Sequence, residues 1–235
     1  MTRKKRRFLT EDHIYRDLTI ALGLLFVLGP VLDYLLESSR VESFLTVAFL
    51  VFALFEITRR ASDVVVGLAL GLPAVAGGVI IAATPDTPTI NLTPVVLTAF
   101  FLGFLVWRIL KDVADGSRIS KEKVYGAVCA YLLIGFLFAS VYGFLALVDP
   151  DAFSVSAALE AELAGRGEHQ GFGIFTYFSF VTMSTLGFGD ITPRTPMAQT
   201  LTWMQAVFGQ LFLVVLVARL VSLLPQTNAN RLDSS

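Results

Sequence analysis

Six consecutive residues, Thr185-Leu186-Gly187-Phe188-Gly189-Asp190, carry chemistry that lies in the main chain more than in the side chains. Two glycines around a phenylalanine make poor helix and poor strand, because glycine loses more backbone freedom on ordering than any other residue. Gly187 and Gly189 admit positive φ, which lets successive carbonyls point the same way, and Leu186 and Phe188 are expected to turn their side chains back into protein as braces. A row of such carbonyls replaces the water shell of a dehydrated cation. Thr185 adds a hydroxyl as a further oxygen ligand at one end. Other site chemistry finds no support. His13 and His169 have no ligand-spaced neighbours, and the single cysteine, Cys129, lies inside an apolar run, so neither a metal centre nor an intrachain disulfide is expected. No nucleophile–base pair stands out, which argues against an enzyme, and no organic cofactor is implied.

The elements that must hold this stretch are read from composition. The chain has 235 residues, of which 55% are hydrophobic and 16% charged, with twenty phenylalanines. Soluble proteins carry about 25% charged residues, so this surface cannot be mostly water-facing. A net charge of −1 excludes a nucleic-acid partner recruited by bulk charge. The expected class is an all-α membrane protein.

A spanning helix needs roughly 20 apolar residues. Six candidates appear: Leu18–Leu36, Val41–Thr58, Val64–Ala83, Ile90–Leu110, Val124–Val148 and Met197–Leu224. The second is the shortest in its charge-free core, Phe44–Phe55. A seventh apolar stretch, Phe172–Met183, is about 18 Å long as a helix, too short to cross, and reads as re-entrant. The Lys and Arg residues test this arrangement independently. With the N-terminus inside, fifteen fall on the inner side and only Arg40, Arg166 and Arg194 on the outer side. Both termini are therefore expected in the cytoplasm, with Gly187–Asp190 towards the outside and the plasma membrane as location. Leu18–Leu36 is long and is followed by no small-residue cleavage pattern, so it is kept as a helix and not a signal peptide.

Along the chain, a basic start (1–16) precedes four helices (17–110), a polar linker KDVADGSRISKEK (111–123), a helix, re-entrant segment and helix (124–224), and a short polar tail (225–235). With so short a tail, gating through an attached regulatory module is not expected. The outer loop Asp149–Gly171 contains SVSAALEAELAG, expected as a short amphipathic helix with Ser154 or Ser156 as N-cap and Gly165 as C-cap. Its carboxylates either concentrate cations near the outer mouth or are ordinary solvated side chains. The start TRKKRR reads as an orientation signal and a contact for anionic lipid.

TLGFGD, behind a short apolar helix and between two spans, resembles the selectivity filter of potassium channels, whose usual form is T-V/I-G-Y/F-G-D. The resemblance covers about 124–224. It implies a homotetramer in which each chain supplies one loop. It also implies a filter of Thr185, Leu186, Gly187, Phe188 and Gly189, with K⁺ held by the oxygens of Thr185, Leu186, Gly187 and Phe188, and Asp190 at the outer mouth. The other reading of Asp190 is an exposed turn residue before Ile191–Pro193, and the motif favours the outer mouth. The family often has Tyr in the filter and Trp in the pore helix, joined by a hydrogen bond; here Phe188 and Phe178 stand at those positions, so both halves of the bond are missing together. Only Tyr177 is then left in this helix with a hydroxyl to brace the filter. A filter held by packing is expected to close or to discriminate K⁺ from Na⁺ more weakly. Gly209 falls where the family often has a hinge glycine, although close helix packing suits it too. Gln210 faces either a water-filled cavity or a neighbouring helix, and Gln199 and Gln205 are less decisive.

The fourth span carries Arg108 alone. Steep voltage gating uses roughly 3–4 charges per subunit at about 2.3 kcal/mol each per 100 mV, so strong voltage gating is not expected. The first four helices are then a packing scaffold or a sensor of lipid, tension or a small ligand. Asp33, Glu56 and Asp63 lie at their ends, Glu56 within pairing distance of Arg59 or Arg60. Pro30, Pro73 and Pro94 are expected to kink their helices, and the glycines of the third to allow close approach. The alternatives to a potassium-selective channel are a weakly selective cation channel and, from a different class, a carrier or a non-conducting subunit. A carrier would show paired repeats and midplane charges, and neither is visible.

Overall fold

A computed structural model of the chain describes residues 14–36, 46–54, 64–83, 92–114, 121–165 and 172–221. Residues 1–13 of the basic start, His13 among them, and Arg40, Glu56, Arg59, Arg60, Asp63, Glu168, His169 and the polar tail lie outside the described residues.

The elements are α1 (Ile14–Leu36), a helical stretch at 46–54, α2 (Val64–Ala83), α3 (Leu92–Ala114), α4 (Lys121–Val148), β1 (Phe153–Val155), α5 (Ala157–Gly165), α6 (Phe172–Met183), β2 (Ile191–Pro193) and α7 (Pro196–Val221). Each of the six candidate spans contains helix. Three helical segments among the described residues are long and apolar enough to cross a membrane: Leu92–Ala114, Glu122–Val148 and Pro196–Ala218. The expected linker is narrower than its polar composition suggests, since α3 continues to Ala114 and α4 already begins at Lys121.

Local signals set several of these ends. Ser156 caps α5, its Oγ accepting from Leu159 N–H at 3.4 Å while Glu160 N–H donates to its carbonyl at 2.9 Å. Thr195 stands before α7 with Pro196 as the first helical residue, where proline's missing N–H is no loss. Pro94 was expected to kink its helix, yet it is the third residue of α3. In the first turn it interrupts no intrahelical bond, so that expectation is corrected. The α2 glycines do permit close approach: a Cβ on Gly77 would lie 2.7 Å from Pro94 Cβ, and one on Gly71 2.6 Å from Leu54 Cδ1.

The all-α expectation needs one addition. β1 and β2 pair antiparallel in the register Phe153↔Pro193, Ser154↔Thr192 and Val155↔Ile191. This small sheet clamps the loop after α4 to the segment that follows Asp190, and Arg194 N–H to Ala152 O at 2.8 Å extends it.

Two cores result. One joins α1, 46–54, α2 and α3 to the first half of α4 through Leu18, Leu22, Leu50, Phe101, Leu105 and Leu133. The other is aromatic and lies between the end of α4, the small sheet, α6 and the start of α7, with Tyr142, Phe153, Phe175 and Phe178 at its centre. Phe178 meets Tyr142 at 5.1 Å and Phe153 at 5.5 Å between ring centroids, both edge-to-face.

Candidate functional site

The site begins where α6 stops. The last four carbonyls of a helix have no intrahelical partner, and each one in α6 is satisfied. Ser184 N–H donates to Phe180 O at 2.9 Å, Leu186 N–H to Val181 O at 3.0 Å, and Thr185 N–H to Thr182 O at 3.0 Å. Gln210 Nε2 on α7 donates to Met183 O at 3.4 Å. The pair from Thr185 and Leu186 is a Schellman cap, with Thr185 in the left-handed position at φ 62°. That position usually holds glycine, and a β-branched residue there is an outlier costing about 1–2 kcal/mol.

Positive φ then recurs at Gly187 (56°) and Gly189 (80°), whereas Leu186 and Phe188 between them do not have it. The sign of φ therefore alternates along Thr185–Gly189. Alternation of this kind is compatible with successive carbonyls pointing to one side. Among the described residues the carbonyls of Ser184–Gly189, those of Thr185, Leu186, Gly187 and Phe188 included, accept no hydrogen bond, although those of Phe180–Met183 before them and of Asp190 after them do. Residues Ser184–Gly189 are all exposed in the single chain.

Leu186 and Phe188 differ from expectation. They are 60% and 65% exposed, so within one chain neither turns back into protein to brace the strand.

Asp190 is fixed rather than loose. Tyr177 OH donates to its Oδ2 at 2.5 Å, Ile191 N–H to its Oδ1 at 3.0 Å, and Ser156 N–H to its carbonyl at 2.8 Å. Tyr177 and Asp190, singled out separately in the sequence, thus meet. Phe178 lies on the other side of α6, buried in the aromatic core.

Gly209 is buried against the end of α6: a Cβ there would come 2.6 Å from Met183 Cγ and 3.1 Å from Met183 O. This gives the glycine a close-packing role. Gln210, the next residue, makes the helix-to-helix bond to Met183.

Two residues of consequence, Ser179 and Tyr142, escaped the sequence reading, and Gln205 was named there without a role. Gln205, Ser179 and Tyr142 are fully buried. Tyr142 OH donates to Gln205 Oε1 at 2.6 Å, Gln205 Nε2 to Ser179 Oγ at 2.6 Å, and Ser179 Oγ to Gly135 O at 2.7 Å. Tyr177 is therefore not the only hydroxyl of α6 that ties it down. The available signal was a serine in the middle of a mostly apolar helix, with a glutamine in mid-span on α7.

Residues 127–226, from α4 through the end of α7, match the family model described as "Ion channel". The candidate site lies wholly within that match, which makes this part of the chain similar to ion channels, with apolar helices of a membrane protein around it. No curated protein and no solved structure matches the chain.

Proposed function

We propose that the chain is one subunit of a homotetrameric, potassium-selective channel of the plasma membrane. Four copies would set the carbonyls of Thr185, Leu186, Gly187 and Phe188, with the Thr185 hydroxyl, around a common axis. K⁺ is the transported ion, and no resident cofactor is needed. In this reading α6 is re-entrant, six helices span, both termini are cytoplasmic, and the basic start meets anionic lipid.

The observation that carries the reading is the exposed stretch Ser184–Gly189, whose carbonyls accept no hydrogen bond and in which the sign of φ alternates from Thr185 to Gly189. At membrane depth, backbone without a partner costs several kcal/mol per group and persists only where protein covers it or water and ions reach it. A lone subunit leaves the row open, and four subunits around a pore give it dehydrated cations as partners. The apolar face formed by Leu186, Phe188, Trp203, Val207 and Phe208, each at least 47% exposed, is what neighbouring copies would cover. Strong voltage gating is not part of the proposal, because Arg108 is ion-paired with Asp112 one turn along α3.

Flux from liposomes under opposed K⁺ and Na⁺ gradients tests the proposal. The wild type should pass K⁺ and reverse near the K⁺ equilibrium potential, and Gly187→Ala should abolish flux because alanine is strained at φ +56°. Equal flux from both proteins, or none under any stimulus, would overturn the pore assignment. Flux with a reversal potential near zero in mixed K⁺ and Na⁺ would favour the weakly selective cation channel.

A further inference from the structure

The buried chain of polar groups behind α6 is continuous and has a single direction. Tyr142 on α4 donates to Gln205 on α7, Gln205 donates to Ser179 on α6, and Ser179 donates back to Gly135 on α4. A second bond, Gln205 Nε2 to Ser179 O at 3.3 Å, uses the amide's other proton. Burying an amide and two hydroxyls is unfavourable unless every group is partnered, so the three helices are held in the one arrangement that satisfies all of them.

Two features make this arrangement stiff. Gly135 has no side chain, and the Phe180 ring occupies that space, 2.5 Å from where a Cβ would be. α6 therefore touches the backbone of α4 directly. The Schellman cap then joins α6 to the strand: Leu186 N–H reaches back to Val181 O and Thr185 N–H to Thr182 O. Between Ser179 and Thr185 no flexible segment intervenes, so a shift of α6 is delivered to the strand.

We propose that Gln205, with Tyr142 and Ser179, forms the positioning set that fixes α6 between α4 and α7 and thereby sets ion discrimination by the Thr185–Gly189 strand. This rests on the reading that the strand lines the conduction path.

The test uses the full chain in liposomes, with reversal potentials measured under K⁺ on one side and Na⁺ on the other. Tyr142→Phe removes one hydroxyl and keeps the ring against Phe153 and Phe178; Gln205→Leu removes the hub. Each should lower the K⁺-over-Na⁺ permeability ratio by a factor of about five or more. Leu133→Ala, a buried apolar position on α4 outside the set, should lower the unfolding temperature and leave the ratio unchanged. A ratio unmoved in Tyr142→Phe, with only a lower unfolding temperature, would make the set merely structural and overturn the inference. Should Gln205→Leu fail to assemble, Tyr142→Phe alone decides. A wild type that passes no ion, or does not discriminate, removes the function reading and the inference together. A selective wild type with an unmoved ratio removes the inference alone.

Discussion

The two cores of this protein are built from different chemistry. Around α1, the 46–54 helix, α2 and α3, the buried side chains are apolar: Leu22, Leu50, Ala53, Phe101 and Leu105 among them. Around α6, the core is aromatic, and every buried polar side chain among the described residues lies nearby on α4, α6 or α7, namely Ser140, Ser179, Thr182 and Gln205. In lipid an apolar helix gains little by choosing protein over hydrocarbon, so the first core holds by van der Waals packing and has many near-equivalent registers. Buried hydrogen bonds remove that degeneracy, because a slip leaves donors unpaired. Among the described residues the fully buried polar side chains thus gather around α6, whereas the polar contacts of the first region are only partly buried.

Where the cores meet, they are not independent. Phe180 of α6 packs against Phe26 of α1 at 4.6 Å and Phe136 of α4 at 5.5 Å between centroids. At the far end of α3, Asp112 accepts from Arg108 and from Tyr15 of α1, tying the first helix to the third.

Mutations can break or sharpen this contrast. The largest expected effect on stability is Leu22→Ala in the apolar core. Transfer from lipid contributes little there, and the cavity term of ~24 cal/mol per Å³ gives a loss of about 2–3 kcal/mol. Denaturation in detergent should show that loss, while the permeability ratio stays as in wild type; a changed ratio would blur the distinction between the cores. Gly135→Ala comes next. Its methyl must displace the Phe180 ring, an overpacking that costs about 1–3 kcal/mol. Unlike the first, it should also shift ion discrimination. Gly103→Ala on α3 has open space, nothing lying within 4 Å of its Cβ, and should gain up to about 1 kcal/mol from helix propensity. Equal behaviour of the two glycine variants would contradict the packing seen at Gly135. The smallest effect is expected for Tyr177→Phe, which removes the bond to Asp190 at an exposed site. A loss of about 1 kcal/mol or less is anticipated, with faster decay of K⁺ current during sustained recording as the more sensitive readout.

Much of the site was legible because it is local. Gly187 and Gly189 announce positive φ, and both have it. The Phe172–Met183 helix follows from an apolar run of the right length, and its observed ends are those residues. Ser156 was one of two serines suitable as N-cap, and the helix start decided between them. Other features depend on distance. Thr185 in the left-handed region had no sequence signal, because threonine ordinarily avoids it. Leu186 and Phe188 were expected to face inward from their alternation with glycine, but which surface lies behind a strand is not a property of the strand.

The sequence by itself determined the apolar segments and the stretch where two glycines take positive φ. These follow from transfer energies and φ preferences that act residue by residue. Only the tertiary structure decided that Tyr142 would meet Gln205, 63 residues away, that β1 would clamp the segment after Asp190, and that Gly135 would admit Phe180. Those contacts depend on helix rotation and depth, which a hydrophobic pattern constrains to a face and not to a partner. Polar groups buried between apolar faces select the partner, because only one arrangement satisfies them all.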